Sequence, residues 1–385
     1  MKVVQLGCGI TGLVCAEHLE KNELVNELVL ADNRIDAAEA MAERLKSSKI
    51  SVQRVDATDS DALRSLLTGT DLLISSIPAE LNKEVIENAI DLGVNYIDYS
   101  MSVNSMEEFE EIDRRSKEKG ITILTSMGSD PGISDVFARY AASKLDSAVS
   151  ARVMDGDTAV ADGYDFFTLW SPAEMLEEVT VPAAVFKDGK ITYVPPLDER
   201  QMYDFPQPIG PLPVYNTIHE ETYLMSQFIE GLEYADFRIA VDDGFAKVAN
   251  TLRMLGMHSL KPVDVKGVKV RPLDVVVALM PRPVDLIGKV KGYAGIVVEV
   301  TGMKDGKRVM AKVWTTMSHE KAYEISRSNA TGYVVGTGGA VAAEMMLSGE
   351  ISDKGVLVPE QLPAEKYVSR LPAKHLEVSE ELIFL

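Results

Sequence analysis

The sequence predicts an α/β protein in two parts: a doubly wound parallel sheet, then an α+β domain whose sheet is largely antiparallel. Three observations predict it. Short apolar runs alternate with amphipathic stretches through the first third of the chain. The first run leads straight into the turn Gly7-Cys8-Gly9-Ile10-Thr11-Gly12. After about Asp130 the alternation stops, and Pro- and Gly-rich stretches and hairpin signals take over.

The apolar runs cover residues 2–6, 27–31, 51–55, 71–75, 96–99 and 121–124, and read as six buried parallel strands. Helical periodicity covers 37–45, 61–67, 82–92 and 106–119, and Gly120 stands where a left-handed C-cap belongs. Pro195, Pro196, Pro206, Pro208, Pro211 and Pro213 predict a long extended surface loop over 194–213. Strands over 293–301 and 308–316 flank Lys304-Asp305-Gly306, a hairpin turn. Helices are expected over 220–229, 246–255 and 340–347.

The 385 residues suit two domains, and 46% hydrophobic residues supply a substantial core. A net charge of -20 repels phosphate backbones and anionic lipid, so the expected partners exclude nucleic acid and membrane. No run approaches the ~20 apolar residues of a membrane span. Glu17, His18 and Glu20 at helical spacing make the amino terminus a strand and helix rather than a leader, and a cytoplasmic protein is expected. The two cysteines, Cys8 and Cys15, would lie about 10 Å apart on one helix, too far for a disulfide. No cysteine–histidine group has metal-ligand spacing, so no metal is expected.

Gly7 permits the tight turn, Gly9 lets backbone approach a pyrophosphate, and Gly12 lets the helix pack on the strand. The helix amino terminus then faces the phosphates. Asp32 follows Gly12 by twenty residues, at the end of the second strand, where a ribose-binding acid belongs. The first domain is therefore expected to be a Rossmann domain holding a nicotinamide dinucleotide. Asp32 argues for NAD over NADP; Arg34, beyond Asn33, offers a phosphate partner. Asp56 and Ala57, after the third strand, are expected near the adenine, although Asp56 reads equally as a turn residue. Loops after the strands should line the nicotinamide end: Ser75-Ser76-Ile77-Pro78, Asp98-Tyr99-Ser100-Met101 and Ser126-Met127-Gly128-Ser129-Asp130-Pro131-Gly132. Locally, Asp130 fits a helix N-cap with Pro131 in first helical position better than it fits a substrate contact.

Gly128-Ser129-Asp130-Pro131-Gly132-Ile133 resembles the Gly-x-Asp-Pro-Gly-Ile segment of saccharopine dehydrogenases. Trp170-Ser171-Pro172 with Glu177-Glu178 is similar to a stretch of lysine 6-dehydrogenases, and Ala330-Thr331-Gly332 and Gly355-Val356-Leu357-Val358-Pro359-Glu360 resemble the family's closing segments. The likeness runs in order along almost the whole chain. It implies a Rossmann domain of residues 1–132 plus 330–385, and a substrate domain, 133–329, that carries homodimer contacts. The stretch from Glu221-Thr222-Tyr223 to Gly256-Met257 also resembles carboxynorspermidine dehydrogenases. Val214-Tyr215-Asn216-Thr217 lacks an arginine that saccharopine reductases carry there.

All of these enzymes transfer hydride at a carbon bearing nitrogen. The resemblance lifts Asp130 from cap to general base, with Asp98 and His219 as further candidates. Ser100 is implied to line the pocket. Arg238 matches a family arginine suited to holding a carboxylate, and Tyr215 and Trp170 would line the substrate channel. The expected function is an NAD(P)-dependent oxidoreductase acting on an amino acid, lysine or saccharopine. The alternatives are carboxynorspermidine dehydrogenase and a redox sensor that binds NAD without turnover.

Overall fold

The computed structural model describes residues 1–100 and 105–385. The chain divides into two compact units, Met1–Tyr140 with Gly332–Glu377, and Ala141–Thr331 with Val378–Leu385.

In the first unit, strands and helices alternate: β1 (Lys2–Leu6), α1 (Ile10–Glu20), β2 (Glu27–Asp32), α2 (Ile35–Leu45), β3 (Ile50–Arg54) and α3 (Ser60–Leu67). They continue with β4 (Leu72–Ser75), α4 (Ala79–Leu92), β5 (Asn95–Asp98), α5 (Met106–Lys119), β6 (Thr122–Leu124) and α6 (Ile133–Ala142). Every pairing in this sheet is parallel, as short strands joined by helices require. Buried Val4, Leu6, Val29, Leu73 and Tyr96 pack with Leu63, Val85 and Ile112 from the helices. Gly120 does end α5 in the left-handed conformation.

The second unit begins with β7 (Ser147–Asp157), β8 (Val160–Ala161), α7 (Pro172–Glu178), β9 (Ala183–Lys187), β10 (Lys190–Val194), β11 (Asp198–Phe205) and β12 (Gly210–Asn216). It continues with α8 (Glu221–Phe228), β13 (Tyr234–Ala240), α9 (Asp243–Met254), β14 (Val263–Val265), β15 (Val268–Val270) and α10 (Pro272–Leu279). Then come β16 (Val290–Lys291), β17 (Tyr293–Lys304), β18 (Lys307–Ser318) and α11 (His319–Ser326). Among the described residues its main sheet has nine strands, of which only β13 and β7 pair in parallel. The β17–β18 turn uses Asp305 and Gly306, both at positive φ, which matches the twist of a two-residue hairpin.

Helix α12 (Ala330–Leu347), strand β19 (Gly355–Leu357), helix α13 (Ala364–Arg370) and strand β20 (Val378–Phe384) close the chain. β19 adds a seventh strand to the first sheet, giving the order β19-β6-β5-β4-β1-β2-β3. β20 pairs with β18 from Thr315↔Val378 to Val309↔Phe384. Residues 378–385 therefore belong with the second unit, where the sequence reading puts all of 330–385 in the first.

Two other expectations change. Residues 194–213 are not a loop: β11 and β12 form a hairpin through them, and β12 also pairs with β13. Pro211 and Pro213 are two apart, so their missing N–H groups fall on the same side of β12 and spare the other ladder. The final helix is also longer than expected, starting at Ala330 rather than 340. Its glycines conceal it in the sequence but permit close approach. A Cβ on Gly338 would stand 2.2 Å from the Gly128 carbonyl, and one on Gly336 2.5 Å from that of Thr11.

Candidate functional site

The glycine turn sits at the carboxyl end of β1. Its N-cap, Gly9, has no side-chain cap, and the first turn of α1 holds no acidic residue, so the helix amino terminus presents its N–H groups unopposed. A Cβ on Gly9 would meet nothing within 4 Å, whereas one on Gly12 would lie 2.1 Å from the Gly7 carbonyl. The surface at Gly9 is thus open for a ligand, and the contact at Gly12 is closed by packing. These features fit a pyrophosphate.

Asp32 is tied into this turn. One carboxylate oxygen accepts from the Cys8 N–H and the other from the Arg34 N–H, both at 2.7 Å. Arg54, which the sequence reading passes over, donates to the Asn33 carbonyl at 3.1 Å and brings a second arginine to the ribose end. Asp56 accepts from both the N–H and the hydroxyl of Thr58, and these bonds hold its pKa below the usual carboxylate value. The geometry makes it a turn residue, with Ala57 buried behind it. Gln5 also escapes the sequence reading, though it is the one polar residue among Val3, Val4 and Leu6. Its buried amide donates to the Gly7 carbonyl at 3.1 Å and to the Ser76 hydroxyl at 2.8 Å. Ser76 in turn bonds Leu6, and its carbonyl lies 2.5 Å from where a Gly7 Cβ would be. Ile77 also borders Gly7, and Pro78 precedes α4. Burial pushes the Cys8 and Cys15 thiols up to about 12; both are free, and neither is poised as a nucleophile.

Asp98 is fully buried at the end of β5. It accepts from Thr125, from the Ser126 N–H and from the Tyr96 hydroxyl at 2.7, 3.0 and 3.0 Å. Desolvation nevertheless raises its pKa to about 7. Two of these bonds pin the loop after β6 and the third ties back to β5, so the geometry makes it a support and argues against its being the base. Ser100 donates its backbone N–H to the same carboxyl; Met101 lies outside the described residues.

Asp130 is not a helix cap. Helix α6 begins at Ile133, and Asp135 accepts from the Gly132 N–H at 2.7 Å in the capping role. Asp130 is half-buried and bonded by the Ser129 hydroxyl.

In the second unit, Arg238 is 3% exposed. It donates to Asp236 at 2.8 Å and to the Glu199 carboxylate at 2.7 Å, while Arg152 holds the other side of Asp236. Those partners already satisfy the charge that a substrate carboxylate would need, which counts against Arg238 as its anchor. Strand alternation also separates it from the other candidates: Tyr215 pairs with Ile239, and His219 stacks on Phe237, so both take the face of β13 opposite Arg238. The Tyr215 hydroxyl donates to Asp243 at 2.7 Å. Trp170 packs on the cluster of Ala161, Leu169, Leu286 and Val290, a structural role. His219 meets the fully buried Glu221, a partner the sequence signals only as the second acid after the histidine.

Among the described residues there is no metal-ligand group and no helix long and apolar enough to cross a membrane. A family model described as the saccharopine dehydrogenase NADP binding domain matches residues 3–124, and one described as the saccharopine dehydrogenase C-terminal domain matches 128–376. The chain is 28% identical to a carboxynorspermidine synthase of Vibrio cholerae, over 97% of this chain and 95% of that one. It is 25% identical to a carboxyaminopropylagmatine dehydrogenase of Synechocystis, over 96% and 95%. An L-glutamate-forming saccharopine dehydrogenase of Saccharomyces cerevisiae aligns at 30% identity over only 50% of this chain and 43% of its own. The solved structure of such an enzyme from that yeast shares the fold, with a TM-score of 0.78, 19% identity and 99% of both chains covered.

Proposed function

Because the chain belongs to the saccharopine dehydrogenase family, we propose that it is an oxidoreductase that makes a carboxylated polyamine by reducing an imine between an amine and an amino-acid aldehyde. The observation that carries this reading is coverage. The relatives that align end to end are named for carboxylated polyamines, whereas the saccharopine dehydrogenase aligns over half the chain. Undoing the carbon–nitrogen bond of carboxynorspermidine gives 1,3-diaminopropane and aspartate semialdehyde, so these are the first substrates to offer. The dinucleotide, NAD or NADP, supplies the hydride.

Asp130 lies on the loop after the carboxyl end of β6, the end of the strands where ligands of such folds bind. Its carboxylate is assigned to the cationic iminium, whose charge it stabilises. Purified protein with NADPH or NADH should consume reduced cofactor with the aldehyde and 1,3-diaminopropane, putrescine or agmatine. Oxidation of lysine or saccharopine instead would return the function to the family's amino-acid branch. Silence with every substrate, together with retained dinucleotide binding, would favour a sensor. Asp130→Asn should lower kcat by about 10²-fold at unchanged cofactor affinity; undiminished turnover removes Asp130 from the reaction.

The reading includes a homodimer. Between 244 and 289 the chain exposes Met254 (75%), Leu255 (72%), Leu260, Val268 and Leu279 (82%). The same stretch has eight Lys and Arg against three Asp, in a protein of net charge -20. A basic apolar surface on an acidic chain suits a second copy. Light scattering should give twice the 42.1 kDa chain mass, and Leu279→Asp should shift it toward monomer; a wild-type monomer overturns this surface's role.

A further inference from the structure

The segment joining β12 to α8 buries more polar groups than its own bonds satisfy. Thr217, Glu221 and Thr222 are fully buried, and the His219 side chain is 10% exposed. The hydroxyls of Thr217 and Thr222 have no partner among the described residues, although an unpaired buried polar group costs about 1–3 kcal/mol. His219 lies flat on Phe237, with ring centroids 3.9 Å apart and planes 17° apart, and its Nδ1 meets Glu221 Oε2. With a carboxylate as acceptor, the neutral ring carries its proton on Nδ1 and its lone pair on Nε2. A histidine clamped by stacking and oriented by a buried acid is the arrangement of a general base. The flanking Thr hydroxyls can accept as well as donate, and Asn216 beside them adds an amide that also has no partner among the described residues. The buried charge here is the acid Glu221, and Arg238 takes the opposite face of β13, so a cationic nitrogen suits the segment.

Resting on the carboxylated-polyamine reading, we propose that His219 takes the proton from the substrate's ammonium group and that Glu221 positions it. The ammonium gives a proton to Nε2, and the freed nitrogen lone pair forms the bond to the aldehyde carbon. The proton on Nε2 then passes to the alkoxide oxygen of the adduct, and Nε2 takes a second proton from the newly bonded, still cationic nitrogen and delivers it to the resulting hydroxyl. The carbon–oxygen bond breaks, water leaves, and the iminium remains for hydride transfer. Thr217 and Thr222 supply acceptors for the ammonium hydrogens.

The test uses the full chain with NADPH, aspartate semialdehyde and 1,3-diaminopropane, putrescine or agmatine. His219→Ala should lower kcat by ~10²–10⁴-fold, and added imidazole should restore part of it. Glu221→Gln should lower kcat by about tenfold or more while leaving the KM of the aldehyde within about twofold, a split expected of a group acting through the base. Melting temperature and NADPH affinity report folding, and His219→Gln, which keeps a polar group toward Glu221, replaces the alanine variant if that one is unstable. Wild-type turnover that survives in both histidine variants, or that imidazole fails to raise in a folded His219→Ala, overturns the proposal and leaves the polyamine reading standing. No wild-type turnover with any of the three amines removes the reading itself, and the inference with it.

Discussion

Gly9→Ala is expected to abolish most dinucleotide binding in a protein that melts almost as wild type, and Gly12→Ala is expected to do the reverse in emphasis. The two glycines are three residues apart in one turn, yet they face different surroundings. A Cβ on Gly9 meets nothing within 4 Å, so the folded chain has no reason to resist it. That same open surface is where a pyrophosphate comes closest to backbone, and a methyl group there displaces it. Affinity for NADPH should fall at least ~30-fold, equivalent to about 2 kcal/mol. At Gly12 the added carbon would stand 2.1 Å from the Gly7 carbonyl and 2.8 Å from the Gln5 amide. The first of these is backbone, so the strand–helix crossing must open; overpacking of this kind costs about 1–3 kcal/mol, or roughly 1–4 °C of melting temperature in a chain this size. Thermal melts with and without NADPH separate the two effects, because bound ligand at about a hundred times its Kd adds about 2.7 kcal/mol of stability. Gly9→Ala should lose that increment from a near-normal baseline. If Gly9→Ala instead lowers the baseline as far as Gly12→Ala and keeps the NADPH increment, the turn does not hold the dinucleotide.

The turn was legible in the sequence because its demands are local: a tight bend, an open backbone and a close helix crossing each require glycine within six residues. The alternation of the first sheet was legible for a similar reason, since each strand is a short apolar run between helices. What was not legible depends on pairing across long separations. Three-residue β19 carries no periodicity and is a strand only because Gly355 to Leu357 lie against Thr122 to Leu124. β20 joins β18 by a register no local pattern announces. Arg238 was legible as a strand arginine suited to a carboxylate, but which face it takes, and that Asp236 and Glu199 neutralise it, is decided by β11 and β7. Asp130 and Asp135 exchange roles because helix α6 starts three residues after Asp130, and both acids precede or open the same helix in the sequence. Glu221 looks like an ordinary acid in a first helical turn until Phe237 fixes the ring it orients.

Two buried groups in the first unit are expected to make stability depend on pH below neutrality, and they oppose each other. His18 lies between α1 and α12, bonded to the Thr337 hydroxyl at 3.0 Å, and burial, then the nearby Lys374, lowers its pKa from 6.5 to about 3. The unfolded chain therefore binds a proton that the folded chain refuses, so stability falls as pH drops from 6.5 toward 3, by up to about 1.4 kcal/mol per pH unit. Asp98 has the opposite sign. Desolvation raises its pKa from 3.8 to about 7 against the pull of its hydrogen bonds, so the folded chain keeps a proton that the unfolded chain releases. Stability from this group is present below 3.8 and is lost as pH rises to about 7. Between about pH 4 and 6.5 the two slopes cancel, and the wild type should show little change from this pair. Removing one group exposes the other. His18→Gln should become more stable relative to wild type as pH falls through that window, by about 3 kcal/mol in all. Asp98→Asn should become less stable relative to wild type over the same interval by a similar amount, on top of whatever its lost acceptor costs at every pH. Denaturant midpoints measured for the three proteins at several pH values check this. Variant curves that run parallel to the wild type would mean that neither group is held away from its ordinary pKa, and Asp98 would then be an ionised acid at neutral pH.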